Sequence, residues 1–422
     1  MKDLWKQKVQ ELFHSGAFWN ILGSGMMSAN TVILTMLVGH FFAIREVGIF
    51  GLSLTTAQVL YSLALFGSND LQMTDYKHRY QFQHYFGVKT FSTLLAFLVC
   101  LLVIRLLHFT PAARSYTLLL TGFMLVNSFA ELYQSMFFQN YRIDLAGRAL
   151  FYRYLLSTAA FLMAVLLEKT IDTACIWMLV TDIMATFWWI WKYAKEYRDS
   201  SYLLDVSRVF LLVKESLPLC LSVLGSLLVI NGPKYLIHLY LPNEIQGIYN
   251  ILFMPTYAIS LLSLFIFKPF LYRYNRILQG REKGFGRLLT EHITVIGVCA
   301  LFAGVMMRLI GIWVLKVLFG QDLSDYQNLL FFFMLGGGML AVNQLLYYIM
   351  VLLRKQKSIF LNYVFGIAAV VVSGWILVPA FSVNGALLSF VIGQLCLLAG
   401  YAWGLAKSLR YFCIGEGQEI AQ

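Results

Sequence analysis

Residues 116–138 read YTLLLTGFMLVNSFAELYQSMFF, and residues 326–348 read YQNLLFFFMLGGGMLAVNQLLYY. Each is a run of the length that crosses a bilayer, since a membrane helix needs about 20 mostly apolar residues. At an offset of 210 the two runs align Tyr116 with Tyr326, Phe123-Met124-Leu125 with Phe333-Met334-Leu335, and Gln134 with Gln344. Upstream the offset is 199. There Gly48-Ile49-Phe50 matches Gly247-Ile248-Tyr249, Leu65-Phe66 matches Leu264-Phe265, and Phe86-Gly87 matches Phe285-Gly286. Register kept through four helices reads as an internal duplication.

Working outward from these runs gives twelve spans. They are 18–43, 47–67, 88–108, 116–138, 150–167, 173–193, 216–239, 246–268, 291–313, 326–352, 359–379 and 383–406. The first is long and expected to tilt, or to break at Gly23 and Gly25. Six spans per half is an even number, so both halves enter the membrane in one direction. Parallel six-helix repeats about an axis along the membrane normal are a transporter architecture. The expected fold is therefore an all-α integral membrane protein of about 12 transmembrane helices in two pseudo-symmetric lobes. The lobes are 1–193 and 216–422, joined by a cytoplasmic amphipathic linker at 194–215.

Composition agrees. The 422 residues are 59% hydrophobic and 13% charged, with mean hydropathy +0.71. A soluble domain is roughly 45–50% apolar and about 25% charged. That excludes a water-soluble globule, a disordered chain and a disulfide scaffold. The six cysteines form no CxxC and no Cys/His cluster, so they read as packing residues.

The net charge of +11 follows the membrane rather than nucleic acid. Of 32 Lys and Arg, 25 fall on the side holding the N-terminus, the even-numbered loops and the C-terminal tail, Lys89 and Arg153 being counted with loops 2–3 and 4–5. The positive-inside rule puts both termini in the cytoplasm. Residues 1–17 read as an amphipathic lead-in or a simple polar tail. In the linker, Leu203, Val206, Phe210, Val213 and Leu217 make an apolar stripe, read as a helix lying on the cytoplasmic interface.

Polar residues within spans are candidate sites, because each must find a partner or line a wet cavity. Span one carries Asn20, Ser24, Ser28, Thr31 and Thr35 on one face, which suits either close packing or a cavity lining. Span four carries Asn127, Glu131 and Gln134 on one face. An ionised Glu131 there costs roughly 2.5–3.5 kcal/mol, whereas an interhelical hydrogen bond returns about 0.6 kcal/mol. Glu131 is therefore expected to be protonated, paired or hydrated. Span seven carries Asn231, Lys234 and His238, with Pro233 permitting a kink. Lys234 either snorkels to the interface or offers a cavity cation to an anionic headgroup. Gln58, Asp182, Asn343, Gln344 and Gln394 are weaker candidates. Gly336-Gly337-Gly338 lacks the Lys-Ser/Thr of a phosphate loop and reads as a packing or bending point.

Short motifs add a resemblance. Gln72, Thr74-Asp75, Tyr85 and Lys89 run from the loop after span two into the start of span three. RIDLAGRALFYR runs from Arg142 to Arg153. Asn231-Gly232-Pro233-Lys234-Tyr235, Gln246-Gly247-Ile248-Tyr249 and Phe253-Met254-Pro255 follow in spans seven and eight. This set resembles the bacterial polysaccharide flippases of the multidrug/oligosaccharidyl-lipid/polysaccharide exporter superfamily, whose loop usually reads Gln-x-Ser-Asp, then Asp-Tyr and Arg. Thr74 stands here for the Ser. The resemblance implies MATE-like lobes around a central cavity and alternating access. It implies a polyprenyl-linked oligosaccharide moved between leaflets of a bacterial inner membrane, with membrane lipids, glycosyltransferases and a glycan polymerase as partners. The first span lacks the arginines of the lipid II flippase branch, which argues against that substrate.

Two rivals remain at this point. One is a cation-coupled multidrug antiporter of the same fold, with Na+ or H+ at Glu131 or Asp182. The other is a membrane glycan enzyme. The outer loops are short, the longest being about 313–326 with Asp322 and Asp325, and no acid/base constellation is present. No cofactor or metal is expected.

Overall fold

The computed structural model describes residues 16–75, 77–197, 205–278 and 284–419. The N-terminal lead-in up to residue 15 and linker residues 198–204, Leu203 included, lie outside them. The described residues form helices throughout. In chain order they are α1 (Gly16–Phe41), α2 (Ile44–Leu65), α3 (Ser68–Thr74), α4 (Phe82–Leu106) and α5 (Pro111–Gln139). Then come α6 (Ile143–Glu168), α7 (Ile171–Tyr193), α8 (Val206–Tyr240) and α9 (Asn243–Phe267). Last are α10 (Leu271–Leu278), α11 (Phe285–Phe319), α12 (Gln327–Leu352) and α13 (Gln356–Glu419).

Ten helices among the described residues are long and apolar enough to cross a membrane. The last of these counts twice. Ser382 adopts φ 52° and ψ −127° inside α13, breaking the helix into two limbs. The limbs fold back on each other, because Gly374 abuts Ser389, Gly366 abuts Leu397, and Gly400 abuts Asn362. Helix α5, with 29 residues, is long enough as well. Its polar stripe lowers its hydropathy. The twelve spans read from sequence are thus present, and the chain is a multi-pass membrane protein. The lipid-facing surfaces carry exposed rings and aliphatic chains such as Phe187, Trp191, Phe302 and Trp313.

Local chemistry sets the boundaries. Phe66 and Gly67 both take left-handed backbone angles, ending α2 and turning the chain into the short α3. A Cβ on Gly67 would sit 2.8 Å from Leu219. Thr110 caps α5 by accepting a hydrogen bond from the Ala113 amide, with Pro111 in the first turn.

The chain divides into two compact units, Met1–Leu224 and Gly225–Gln422. In the first, α1 crosses α6 at touching backbones. A Cβ on Gly147 would meet the Trp19 carbonyl carbon at 2.3 Å, and one on Gly23 would meet the Gly147 oxygen at 2.6 Å. Helix α1 is unbroken at Gly23 and Gly25; Gly23 serves close packing instead. In the second unit, the three glycines of α12 seat Phe390, Thr256 and Ala300 against the helix, which bears out the packing reading.

The linker differs from expectation. Among the described residues of the linker, no helix separate from span seven is present. Residues 206–240 form one helix, running unbroken through Pro218 and Pro233. At 1.5 Å per residue it is about 52 Å long. Val206, Phe210 and Leu217 of the expected stripe point outward, while Leu212, Ser216 and Cys220 are buried. The buried set has its own i, i+4, i+8 spacing, which the more apolar stripe masked in the sequence.

Candidate functional site

The first unit gathers its polar side chains into linked clusters. Arg153 on α6 donates through Nη2 to both oxygens of Asp182 on α7 at 2.9 Å, and to Asn127 Oδ1 on α5 at 3.0 Å. Asn127 Nδ2 donates to Asp182 Oδ2 at 3.2 Å and to the Phe123 carbonyl at 2.9 Å. Arg153 is 2% exposed and Asp182 1%. Two expectations are corrected here. Arg153 is not a loop cation but a buried partner inside the lobe. Asn127 is not free to line a cavity, because it serves this ion pair. The signal for Arg153 was present, since the span read as 150–167 already contained it.

Glu131, one turn after Asn127, is paired. Tyr61 donates its hydroxyl to Oε1, and Asn69 Nδ2 donates to Oε2 at 2.9 Å. Asn69 escaped notice because α3 reads as loop in sequence. Lys89 is a second correction to the charge count. It lies on α4, 0% exposed, and its ammonium donates to the Ala64 carbonyl at 3.2 Å and to Ser128 Oγ at 3.1 Å.

Asp75, of the Thr-Asp motif, is a structural hub. It accepts from the amides of Arg79 and Tyr80 at 2.9 and 3.0 Å, and from the Tyr85 hydroxyl at 3.1 Å. Gln139 donates to its carbonyl at 2.7 Å. Arg79 in turn pairs with Glu215 of α8 at 2.8 Å. Burial of the Tyr80 hydroxyl, with Glu215 nearby, pushes its pKa up. Gln72 is fully buried, and neither of its polar atoms has a hydrogen-bond partner. These residues hold the turn that carries the motif.

The α1 face is mixed. Thr35 is buried and back-bonds to the Thr31 carbonyl; Gln58 Nε2 reaches Thr31 Oγ1 at 2.9 Å. Asn20 is half-buried, while Ser24 and Ser28 are exposed. Asn30, not singled out from sequence, donates to Thr158 at 2.7 Å. Gln134 is buried, and its amide nitrogen has no partner.

In the second unit, Lys234 is 6% exposed. Its ammonium lies 5.3 Å from the Phe253 ring centre and 5.9 Å from that of Tyr257. Ring faces attract a cation electrostatically. Asn231, one turn earlier, accepts from the Tyr257 hydroxyl at 3.4 Å and donates to the Leu227 carbonyl. Lys234, Asn231 and Tyr257 therefore form one group on α8 and α9. The helix read as spanning carries its cation inward against rings, not outward to the interface. Asn343 donates to Gln394 Oε1 at 2.9 Å, and the Gln344 amide oxygen is buried without a partner. Among the described residues no group of three or more His, Cys, Asp or Glu could hold a metal ion.

The fold is that of the MATE transporters and their relatives in the MOP superfamily. One structure of that fold is an inward-facing multidrug resistance MATE family transporter, with TM-score 0.70 and 11% identity over 93% of this chain and 98% of that one. Another is the lipid II flippase MurJ in an inward closed conformation, with TM-score 0.65 and 12% identity over 94% and 87% of the two chains. A third is a MOP superfamily transporter from Pyrococcus furiosus, with TM-score 0.56 and 12% identity over 94% and 95%. No protein-family model and no curated protein matches the sequence.

Proposed function

We propose that this chain is a flippase. It moves a polyprenyl-(pyro)phosphate-linked oligosaccharide from the inner to the outer leaflet by alternating access, in support of cell-surface polysaccharide synthesis. The observation that carries this reading is Lys234, a cation held inside a spanning helix against Phe253 and Tyr257. A cation so placed suits a phosphate, while amides such as Asn231 and aromatic faces suit sugars. The likeness to a lipid II flippase supports the same class of cargo.

The mechanism follows from charge and solvation. The headgroup must leave water while the polyprenyl tail stays in lipid. Lys234 offsets phosphate charge, and Asn231 and Gln344 of the same unit supply hydrogen bonds. Each negative charge leaving a negative interior gains about 2.3 kcal/mol per 100 mV. Glu131, with Tyr61 and Asn69, is the proposed coupling site for Na+ or H+. Asp182 is less suited to that role, because Arg153 already neutralises it.

The test is surface glycan in cells carrying Lys234→Gln or Lys234→Arg. Loss with Gln and retention with Arg support the assignment; full export with Gln contradicts it. A cation-coupled drug antiporter is the second reading, favoured by the MATE multidrug transporter among the similar folds. Drug efflux without any effect on surface glycan would select it.

A further inference from the structure

Helices α3 and α5 are joined by a ladder of polar side chains. On α3 and at its end, Asn69, Gln72 and Asp75 follow one another at i, i+3, i+6. On α5, Glu131, Ser135 and Gln139 follow at i, i+4, i+8. Each set therefore lines one face of its helix. Asn69 Nδ2 donates to Glu131 Oε2 at 2.9 Å, and Gln139 Nε2 donates to the Asp75 carbonyl at 2.7 Å. The first and third rungs are thus closed between the helices, and Gln72 and Ser135 form the rung between them. From Glu131 to Gln139 the column runs about 12 Å, at 1.5 Å per residue. Its far end meets solvent. Gln139 Nε2 lies 3.3 Å from Nδ1 of His78, which is exposed on the turn that Asp75 organises.

The middle rung differs from the other two. Gln72 and Ser135 are both 0% exposed. Gln72 Nε2 and Oε1 and Ser135 Oγ have no hydrogen-bond partner among protein groups, and neither does Asn69 Oδ1 one turn away. Buried polar groups are nearly always satisfied, by protein or by ordered water. The atoms themselves define the partner. The Gln72 nitrogen only donates, the two amide oxygens only accept, and the Ser135 hydroxyl does either. An anion leaves the oxygens unpaired, and a metal ion leaves the nitrogen unpaired. Water donates and accepts, and buried waters typically make about three such bonds.

We propose that this column is the proton path to Glu131, completed by water held at Gln72 and Ser135. It starts from the loop carrying Asp75 and His78, the expected cytoplasmic side. The proposal rests on the reading of Glu131 as the coupling site and assigns the proton as its ion. Gln72 orients the water, while the water and the Ser135 hydroxyl relay. Each hop breaks one O–H bond and forms the next. One proton taken from solvent beside His78 thereby ends on the Glu131 carboxylate, which becomes neutral. Tyr61 of α2 and Asn69 of α3 donate to that carboxylate throughout. Lys89 of α4 and Tyr154 of α6 lie within electrostatic reach of it, and the Arg153–Asp182 pair stands one turn away at Asn127.

The experiment is a pH jump on the purified full-length protein in detergent. The infrared carboxyl band of protonated Glu131 is followed in time, and Glu131→Gln identifies that band by removing it. No cargo is present, so a failure to flip glycan and a failure of this path are separate results. Gln72→Leu/Ser135→Ala is expected to slow protonation about tenfold or more, with the titration midpoint unmoved. A purely structural role would move the midpoint or Tm and leave the rate. Ser135→Thr keeps the hydroxyl and is expected to protonate at the wild-type rate. Wild-type kinetics in the double variant overturn the proposal, as does equal slowing in Ser135→Thr. A wild-type protein whose Glu131 band does not respond to pH overturns it as well. If the double variant does not fold, Ser135→Ala alone decides: a slowed rate supports the path and an unchanged rate refutes it.

Discussion

The buried pair Arg153–Asp182 gives the sharpest stability prediction. Asp182→Leu deletes both acceptors at 2.9 Å and leaves Arg153 Nη2 facing Asn127 Oδ1 at 3.0 Å. Removing one partner of a buried pair costs about 3–5 kcal/mol, because an uncompensated charge stays in low dielectric. For a unit of about 200 residues each kcal/mol moves Tm by roughly 3 °C. The expected loss is therefore about 9–15 °C. Arg153→Met is expected near the lower end, since Asp182 still accepts from Asn127 and Ser157. The double variant Arg153→Met/Asp182→Leu removes both charges together, and Asn127 keeps its bond to the Phe123 carbonyl. It should melt within about 5 °C of wild type, because apolar replacement of a whole buried pair is often close to neutral. Thermal unfolding of purified protein in detergent reads all three. A loss under about 3 °C for Asp182→Leu would refute the reasoning, as would a double variant whose loss equals the sum of the singles.

Further outcomes follow from the same geometry. Asp75→Ala frees two backbone amides and the Tyr85 hydroxyl, and should lower stability by about 1–3 kcal/mol, read as a drop in Tm. Gly147→Val drives a side chain into the Trp19 and Asn20 backbone and should abolish folded protein, read as monodisperse yield after purification. Glu131→Gln should leave the helices intact, because Tyr61 and Asn69 can still bond an amide. It should remove the dependence of transport on an ion gradient, measured as uptake with and without that gradient. Lys89→Met should be tolerated better than Lys89→Ala, since the methionine fills the stem volume while dropping a fully buried charge; melting temperatures rank the two.

Much of the fold was legible because hydrocarbon imposes one rule on every span. Apolar runs near 20 residues announced the helices, and even the reversal at Ser382 fell between the runs 359–379 and 383–406. The linker was misread because Val206, Phe210 and Leu217 outweighed the quieter Leu212–Ser216–Cys220 face. Periodicity names an apolar stripe but does not say whether lipid or protein covers it. The site was half legible. Lys234 and Glu131 stood out, since an ionisable group at membrane depth is costly wherever it occurs. Their partners did not stand out. Tyr61, Asn69 and Tyr257 are ordinary residues until tertiary packing brings them close. Arg153 and Lys89 were counted with the loops, because the positive-inside rule sees sequence proximity to a boundary and not burial.

The most direct test is translocation itself, with the full-length protein in liposomes loaded on one leaflet with a fluorescent polyprenyl-diphosphate oligosaccharide. Quenching from outside reports the fraction that has crossed. Protein-dependent crossing that Lys234→Gln abolishes and Lys234→Arg retains is the expected result. Liposomes in which crossing does not depend on the protein, or in which Lys234→Gln crosses at the wild-type rate, would contradict it.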